Sequence, residues 1–324
     1  MKDWLLTLKK RLAVEAEVMR VVIVAVAGST PREVGTCLLT SGRSTSGTIG
    51  GGHLEFKAIA VAHDMLARTE PVRLDRYTLG ATLGQCCGGA LELWFERYTH
   101  ADLAMIDEAL RRREQGALFL RTLLDTNKPL SRSLVMQAHT LGFDRASGIY
   151  VEALKPHTTA LYLFGAGHVA RALVRVLIDL PISITWIDNR ENMFPTEFSE
   201  ILASDEHHLA QHYCDAPADE VKHAPPGCHY LIMTHHHDLD FDICRAVLRR
   251  PDIGSLGMIG SATKAARFRR RLDAMGSAAD RLICPIGLAD LPDKQPAAIA
   301  ISVAAQLLQH IAAAQAVAPL RARA

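Results

Sequence analysis

Apolar residues recur along this chain in two rhythms, and the change of rhythm divides it. Residues 3–19 carry Leu5, Leu8, Leu12 and Val18 among charges, which predicts a helix. Residues 20–27, apolar after Arg20 and rich in Val and Ile, bear the mark of a buried strand. A short strand is expected at 37–40 and a helix from His53 to about Arg68. Alternation at 72–79 and 90–97 predicts two more strands. These elements define a mixed α+β N-terminal domain over residues 1–125. Residues 126–157 are weak in pattern and punctuated by turn formers, so they read as an inter-domain segment. Beyond them, strands at 161–164, 183–187, 229–233 and 254–259 alternate with helices at 169–179, 240–249 and 263–275. That order implies a doubly wound parallel sheet in a second domain, residues 158–324.

Composition narrows the class. Hydrophobic residues are 49% and charged residues 22%, which argues against disorder. Lys and Arg number 36 and Asp and Glu 35, so no general electrostatic drive toward nucleic acid or an anionic membrane is expected. Seven cysteines without a regular framework fit reduced thiols and a cytoplasmic protein. The N-terminus lacks the apolar core of a signal peptide. Residues 297–320 hold no Asp, Glu, Lys or Arg, long enough for a span, yet they are mostly Ala with Ser302, Gln306, Gln309, His310 and Gln315. We read a soluble C-terminal helix. Its 297–315 stretch could make a homodimer contact or fill its own domain core, and the core reading is favoured.

In the second domain, Gly165-Ala-Gly167-His168-Val169-Ala170 places G-x-G-x-x-A between a predicted strand and a predicted helix. Gly165 suits the tight turn, and Gly167 suits backbone approach to a pyrophosphate at the helix start beside His168. Asp188 ends the next strand, where a carboxylate can accept a hydrogen bond from a ribose hydroxyl. This is a Rossmann-like, nucleotide-binding reading. Arg190 leaves NAD versus NADP open, and glycines that merely pack helix on strand remain the plainer alternative. Residues 234–240, THHHDLD, read better as the polar lining of a ligand cleft than as a metal site, because sequence neighbours point apart. Residues 254–264 make a further glycine turn before a basic helix.

Two first-domain loops are chemically unusual. In Gly47-Thr48-Ile49-Gly50-Gly51-Gly52-His53-Leu54-Glu55, three consecutive glycines suggest positive φ angles or close backbone approach. The amides at the helix start could cradle a phosphate-like anion, with His53 and Glu55 at the rim. In Leu83-Gly84-Gln85-Cys86-Cys87-Gly88-Gly89, adjacent thiols sit on a flexible turn, suited to sulfur relay, a soft metal such as molybdenum or copper(I), or redox switching. Arg32, in Gly28-Ser-Thr-Pro-Arg-Glu-Val-Gly35, could pair with an anionic ligand or with a carboxylate of the chain.

AGSTPREVG, GTIGGGHLE, LGQCCGG, LFGAGHVARAL, THHHDLD, MIGSATKAARF and PIGL occur in this order, and together they resemble the XdhC/CoxI family of xanthine dehydrogenase accessory proteins. The resemblance spans roughly residues 5–310. It implies a chaperone that binds molybdenum cofactor (molybdopterin), supports its sulfuration with a cysteine desulfurase, and hands it to apo xanthine dehydrogenase. It assigns Cys86 and Cys87 to the metal or its incoming sulfur, with Gln85, Gly50, Gly51, Gly52, His53 and Arg32 around the pterin. The family usually has a small residue where Cys37 stands, so Cys37 is given no role. Two other readings stay open from the residues themselves. One is an NAD(P)-dependent oxidoreductase, from Gly165, Gly167 and Asp188, although no hydride-transfer acid–base partner is legible. The other is a thiol redox or metallochaperone module confined to the first domain.

Overall fold

The computed structural model describes residues 3–79, 88–125, 130–138, 140–155, 158–199, 202, 208–291 and 293–317. The chain forms two compact units that meet in sequence near residue 156.

In the first unit, the opening helix is shorter than its sequence predicts. Helix α1 spans Trp4–Leu12, and Val18 already belongs to strand β1, Glu17–Ala27. Asp3 caps α1 by accepting from the Leu6 amide at 3.1 Å. β1 lies at the middle of a five-stranded antiparallel sheet with β2 (Cys37–Thr40), β3 (Thr45–Gly47), β4 (Val72–Thr78) and β5 (Ala90–Thr99), in the order β3-β2-β1-β5-β4. Both faces of β1 are covered from Val18 to Val24, which is why that stretch is apolar apart from Arg20. Met19, Val21 and Ile23 pack with Leu54, Ala58 and Ala62 of helix α2, Gly52–Ala67. Val18 packs with Leu5 and Leu8 of α1 and with Ile106 of helix α3, Leu103–Arg113, while Val22 and Val24 pack with Trp94.

The segment expected between domains is folded. Strands β6 (Phe119–Leu123), β7 (Ser131–Val135), β8 (Gly142–Asp144) and β9 (Ile149–Ala153) form a four-stranded antiparallel sheet, order β7-β6-β9-β8. Its pattern is weak because it contributes charges to the interior. Arg20 of β1, 1% exposed, donates to Glu96 at 2.9 Å and to Glu152 of β9 at 2.7 Å. Arg132 of β7 donates to Glu96 at 3.2 Å and stacks 3.8 Å above the Tyr98 ring. Buried charges of this kind persist only when paired, and here each partner comes from a different strand.

The second unit has a six-stranded parallel sheet, order β12-β11-β10-β13-β14-β15. Its strands are β10 (Thr159–Phe164), β11 (Ile182–Asp188), β12 (Leu209–Tyr213), β13 (His229–Ile232), β14 (Ser255–Met258) and β15 (Leu282–Ile283). The helices are α4 (His168–Leu177), the single turn α5 (Pro217–Glu220), α6 (His237–Leu248), α7 (Ala262–Asp273) and α8 (Pro296–Val317). The strand order reverses between β10 and β13, the arrangement of a doubly wound dinucleotide-binding sheet. Leu161 and Leu163 of β10 pack on the side of α4 and α8, whereas Tyr162 and Phe164 pack on the side of α6 and α7. By length and composition α8 could cross a membrane. In this fold, however, Ala300, Val303, Ala304 and Leu307 are buried against α4, and the Gln306 side chain exchanges two hydrogen bonds with the Gly287 backbone, 2.9 and 3.0 Å.

Candidate functional site

Three of the singled-out loops of the first unit converge at one edge of the five-stranded sheet. Residues 28–35 leave β1, residues 47–53 join β3 to α2, and Gly88–Gly89 lead into β5. The Gly89 amide donates to the Ser29 carbonyl at 3.1 Å. A Cβ on Gly89 would lie 2.4 Å from that oxygen, so only glycine fits there. A Cβ on Gly50, whose φ is +122°, would meet the Pro31 ring at 2.9 Å. Gly50 therefore seats the triple-glycine turn on the Pro31–Arg32 turn. Gln85, Cys86 and Cys87 lie outside the described residues.

Two amides of the triple-glycine loop do converge on one acceptor, and that acceptor is a carboxylate of the chain. Thr48 Oγ1 donates to Glu55 Oε2 at 2.5 Å, and the amides of Ile49 and Gly51 donate to the same oxygen at 2.9 and 3.1 Å. The Gly50 amide turns to Thr48 Oγ1 at 3.1 Å. Burial opposes ionisation of Glu55, but the Thr48 hydroxyl and the two amides outweigh it and hold the carboxyl below its ordinary range. Glu55 is thus the plug of the loop rather than a rim residue. The left-handed angles of Gly50, Gly51 and Gly52 (+122°, +71° and +63°) wrap the backbone around it.

What surrounds this plugged cup is open. An added Cβ on Gly51 would meet nothing within 4 Å. His53 is exposed and stacks on Phe56, ring centroids 6.5 Å apart, and Phe56 is 71% exposed. Arg32 is exposed and makes no ion pair among the described residues. An exposed guanidinium and an exposed ring pair are components that an anionic heterocycle uses, while the loop amides are taken by Glu55 and Thr48. They fit a phosphate-bearing pterin in kind.

In the second unit, Gly165 has φ +103°, and a Cβ there would lie 2.3 Å from the Met233 carbonyl oxygen. It packs the first glycine turn onto the loop that follows β13. Gly167 caps α4 with ordinary φ and open space around it, and His168 is exposed. Asp188 is not placed as its sequence position suggests. It is 3% exposed, and its two oxygens accept from the Ala166 amide at 2.6 Å and from the Arg190 amide, Nε and Nη2, each at 2.9 Å. Four donors occupy the four lone-pair directions of a carboxylate, so no acceptor remains for a ribose hydroxyl. Burial works against its ionisation, yet Arg190 and the two amides keep it below the usual carboxylate range.

The THHHDLD segment carries a group that its sequence does not announce. Asp240, 0% exposed, accepts from Thr234 Oγ1 at 2.6 Å and pairs with Lys264 of α7. It is an interior anchor, while His235, His236 and His237 stay exposed. The glycines of 254–260 are packing positions: a Cβ on Gly254 or Gly257 would lie 2.6 Å from the Gly227 carbonyl oxygen or the Ile286 side chain. Phe268 of the basic helix points inward, 0% exposed.

The fold and these loops define a class: an antiparallel α+β unit with convergent glycine loops, followed by a Rossmann-type unit whose strand-end carboxylate, Asp188, is internally saturated. The description "XdhC and CoxI family" matches residues 12–78, and "XdhC Rossmann domain" matches residues 161–307. The chain belongs to the XdhC and CoxI family. It is 27% identical over 290 residues to the uncharacterised protein YqeB of Escherichia coli K12, covering 87% of this chain but 41% of that protein. The chain thus spans about two fifths of the length of this curated relative. A solved protein of Bacillus halodurans, described as a xanthine dehydrogenase, superposes with TM-score 0.78 over 99% of this chain and 100% of its own, at 22% identity. At that identity the likeness is one of fold.

Proposed function

We propose that this chain is an accessory protein of a xanthine dehydrogenase-type molybdenum enzyme, holding molybdenum cofactor at the loop edge of its first unit during sulfuration and delivery. Family membership supports the accessory role. The observation that carries the finer reading is the convergence of the 28–35, 47–53 and 88–89 loops beside amide donors that a carboxylate of the chain occupies. In this reading Arg32 and the loop amides bind the cofactor phosphate once Glu55 is displaced. His53 and Phe56 flank the pterin. Cys86 and Cys87 meet the dithiolene-bound molybdenum or carry the sulfur it receives. The cofactor itself supplies the metal-centred chemistry. A cysteine desulfurase and the apo-enzyme are the partners such a role requires. The saturated Asp188 removes the main support for a nicotinamide-dependent oxidoreductase.

Anaerobic purification with an active cofactor source, followed by molybdenum and pterin analysis, tests this. Near-stoichiometric pterin is expected, reduced at least about tenfold by Arg32→Ala if it contributes a charge-assisted contact. Cys86→Ala with Cys87→Ala should lower molybdenum retention. Background pterin in the wild-type protein would overturn the reading.

A further inference from the structure

Outside the loop edge, one side-chain cluster among the described residues has the composition and geometry of a metal centre. His212, Cys214 and Glu220 bring their ligand atoms within 4.8 Å of one another, and His212 Nε2 lies 3.5 Å from Glu220 Oε2. We propose that these three residues bind a divalent transition-metal ion of the zinc class. Bonds of about 2.0–2.3 Å at tetrahedral angles place ligand atoms roughly 3.3–3.6 Å apart, so one pair is already at that spacing and the third needs about an ångström of closure.

The fold explains the placement. β12 is the edge strand, and positions two apart on an extended chain face the same side, which brings His212 and Cys214 together. The Cys214 amide donates to the Asp188 carbonyl at 3.2 Å, fixing the strand exit. The chain then turns and starts α5 at the buried Pro217, and the next residue after α5, Val221, is 2% exposed. That anchored turn carries Glu220 back over the strand end. Residues 212, 214 and 220 are exposed or half-buried, so an ion can enter.

The donor set is selective. A thiolate with an imidazole suits zinc-like ions, and magnesium or calcium has no use for sulfur. The carboxylates of Asp215 and Asp219 beside the cluster add negative charge that attracts a dication. Three protein ligands leave a fourth coordination position for water or an exogenous donor. This centre is independent of the proposed cofactor edge, since it uses neither Cys86 nor Cys87.

Cobalt(II) titration of the full chain under anaerobic conditions tests it. One equivalent is expected to bind with a near-ultraviolet thiolate-to-cobalt charge-transfer band. Zinc(II) should displace it, and excess magnesium(II) should not. Cys214→Ser should abolish the band and weaken cobalt(II) binding at least about tenfold, whereas the Cys86→Ala/Cys87→Ala double variant should leave both unchanged. His212→Gln, at an exposed side chain, should weaken binding to a similar extent and keeps the test valid if Cys214→Ser does not fold. The proposal fails if no band forms, if the band survives Cys214→Ser, if it disappears in the Cys86/Cys87 double variant, or if magnesium(II) competes equally.

Discussion

The glycine loops of the two units share one plan and differ in electrical balance. In each, a carboxylate of the chain accepts from backbone amides beside the glycine turn: Glu55 from Ile49 and Gly51, Asp188 from Ala166 and Arg190. Glu55 is held by a hydroxyl and two amides, all neutral, and its neighbour Gly51 faces open space. Asp188 is held by two amides and a guanidinium, is almost fully buried, and has every acceptor direction used. The first arrangement is, in the proposed reading, a plug that an incoming anion displaces at the cost of three hydrogen bonds. The second is a neutralised lock that keeps the first turn of the Rossmann unit closed on itself. The same glycine-rich signature therefore marks a candidate ligand site in one unit and a structural clasp in the other.

The largest expected effect tests the lock. Gly165→Ala must place a Cβ against the Met233 carbonyl at a left-handed backbone position. It should cost about 3 kcal/mol in denaturant unfolding. A loss under about 1 kcal/mol would mean that the loop is looser than described.

Asp188→Asn removes a charge-assisted acceptor beside Arg190 and should cost about 2 kcal/mol. Arg190 is one-third exposed, which keeps the figure below that of a fully buried pair. Glu55→Gln should cost about half as much, because its donors are neutral and the site is open to water. The comparison breaks if the two substitutions cost the same. If Glu55 is a displaceable plug, Glu55→Gln should also retain at least as much pterin as the wild type in the anaerobic assay.

Acidification acts on both loops in one direction. The folded-state pKa values of Glu55 and Asp188 lie below their ordinary values, so their contribution is present near neutrality and is lost as pH falls through the folded values. In the second unit His229 adds to this. Burial, with a smaller push from His310, lowers it from 6.5 to about 4. A depressed histidine stabilises the fold above its unfolded value, and that stability drains between about pH 6.5 and about 4, by about 3 kcal/mol. Unfolding measured across this window should show the slope, and Glu55→Gln should leave it nearly unchanged above pH 5, roughly the upper end of carboxyl titration.

The smallest effects separate the open glycines. Gly51→Ala should cost about 1 kcal/mol for its positive φ alone. Gly167→Ala, with ordinary φ and free space, should stay within about 0.5 kcal/mol by thermal unfolding. A larger loss at Gly167 would point to a contact that its open surroundings do not contain.

Much of this fold is legible in the sequence. The run at 20–27 is buried on both faces as far as Val24, and the alternating strands and helices after residue 158 form the expected parallel sheet. The segment 126–157 was not legible as structure, because Arg132 and Glu152 look like surface charges until Arg20 and Glu96 are placed beside them. At the candidate site, the motif residues Gly50, Gly89 and Arg32 could be read, but the role of Glu55 could not. A glutamate in the first turn of a helix is ordinary, and nothing local says that its carboxylate folds back onto Ile49 and Gly51. Likewise, the spacing of His212 and Cys214 hints at a shared face, but Glu220 joins them only through a turn.

The amino-acid order by itself determined which stretches could be buried and where the backbone had to be glycine, because burial periodicity and positive φ are local constraints. Tertiary structure decided which donors stayed available. A hydrogen-bonding group is free or satisfied according to what the rest of the chain brings within about 3 Å of it, and no local pattern encodes that.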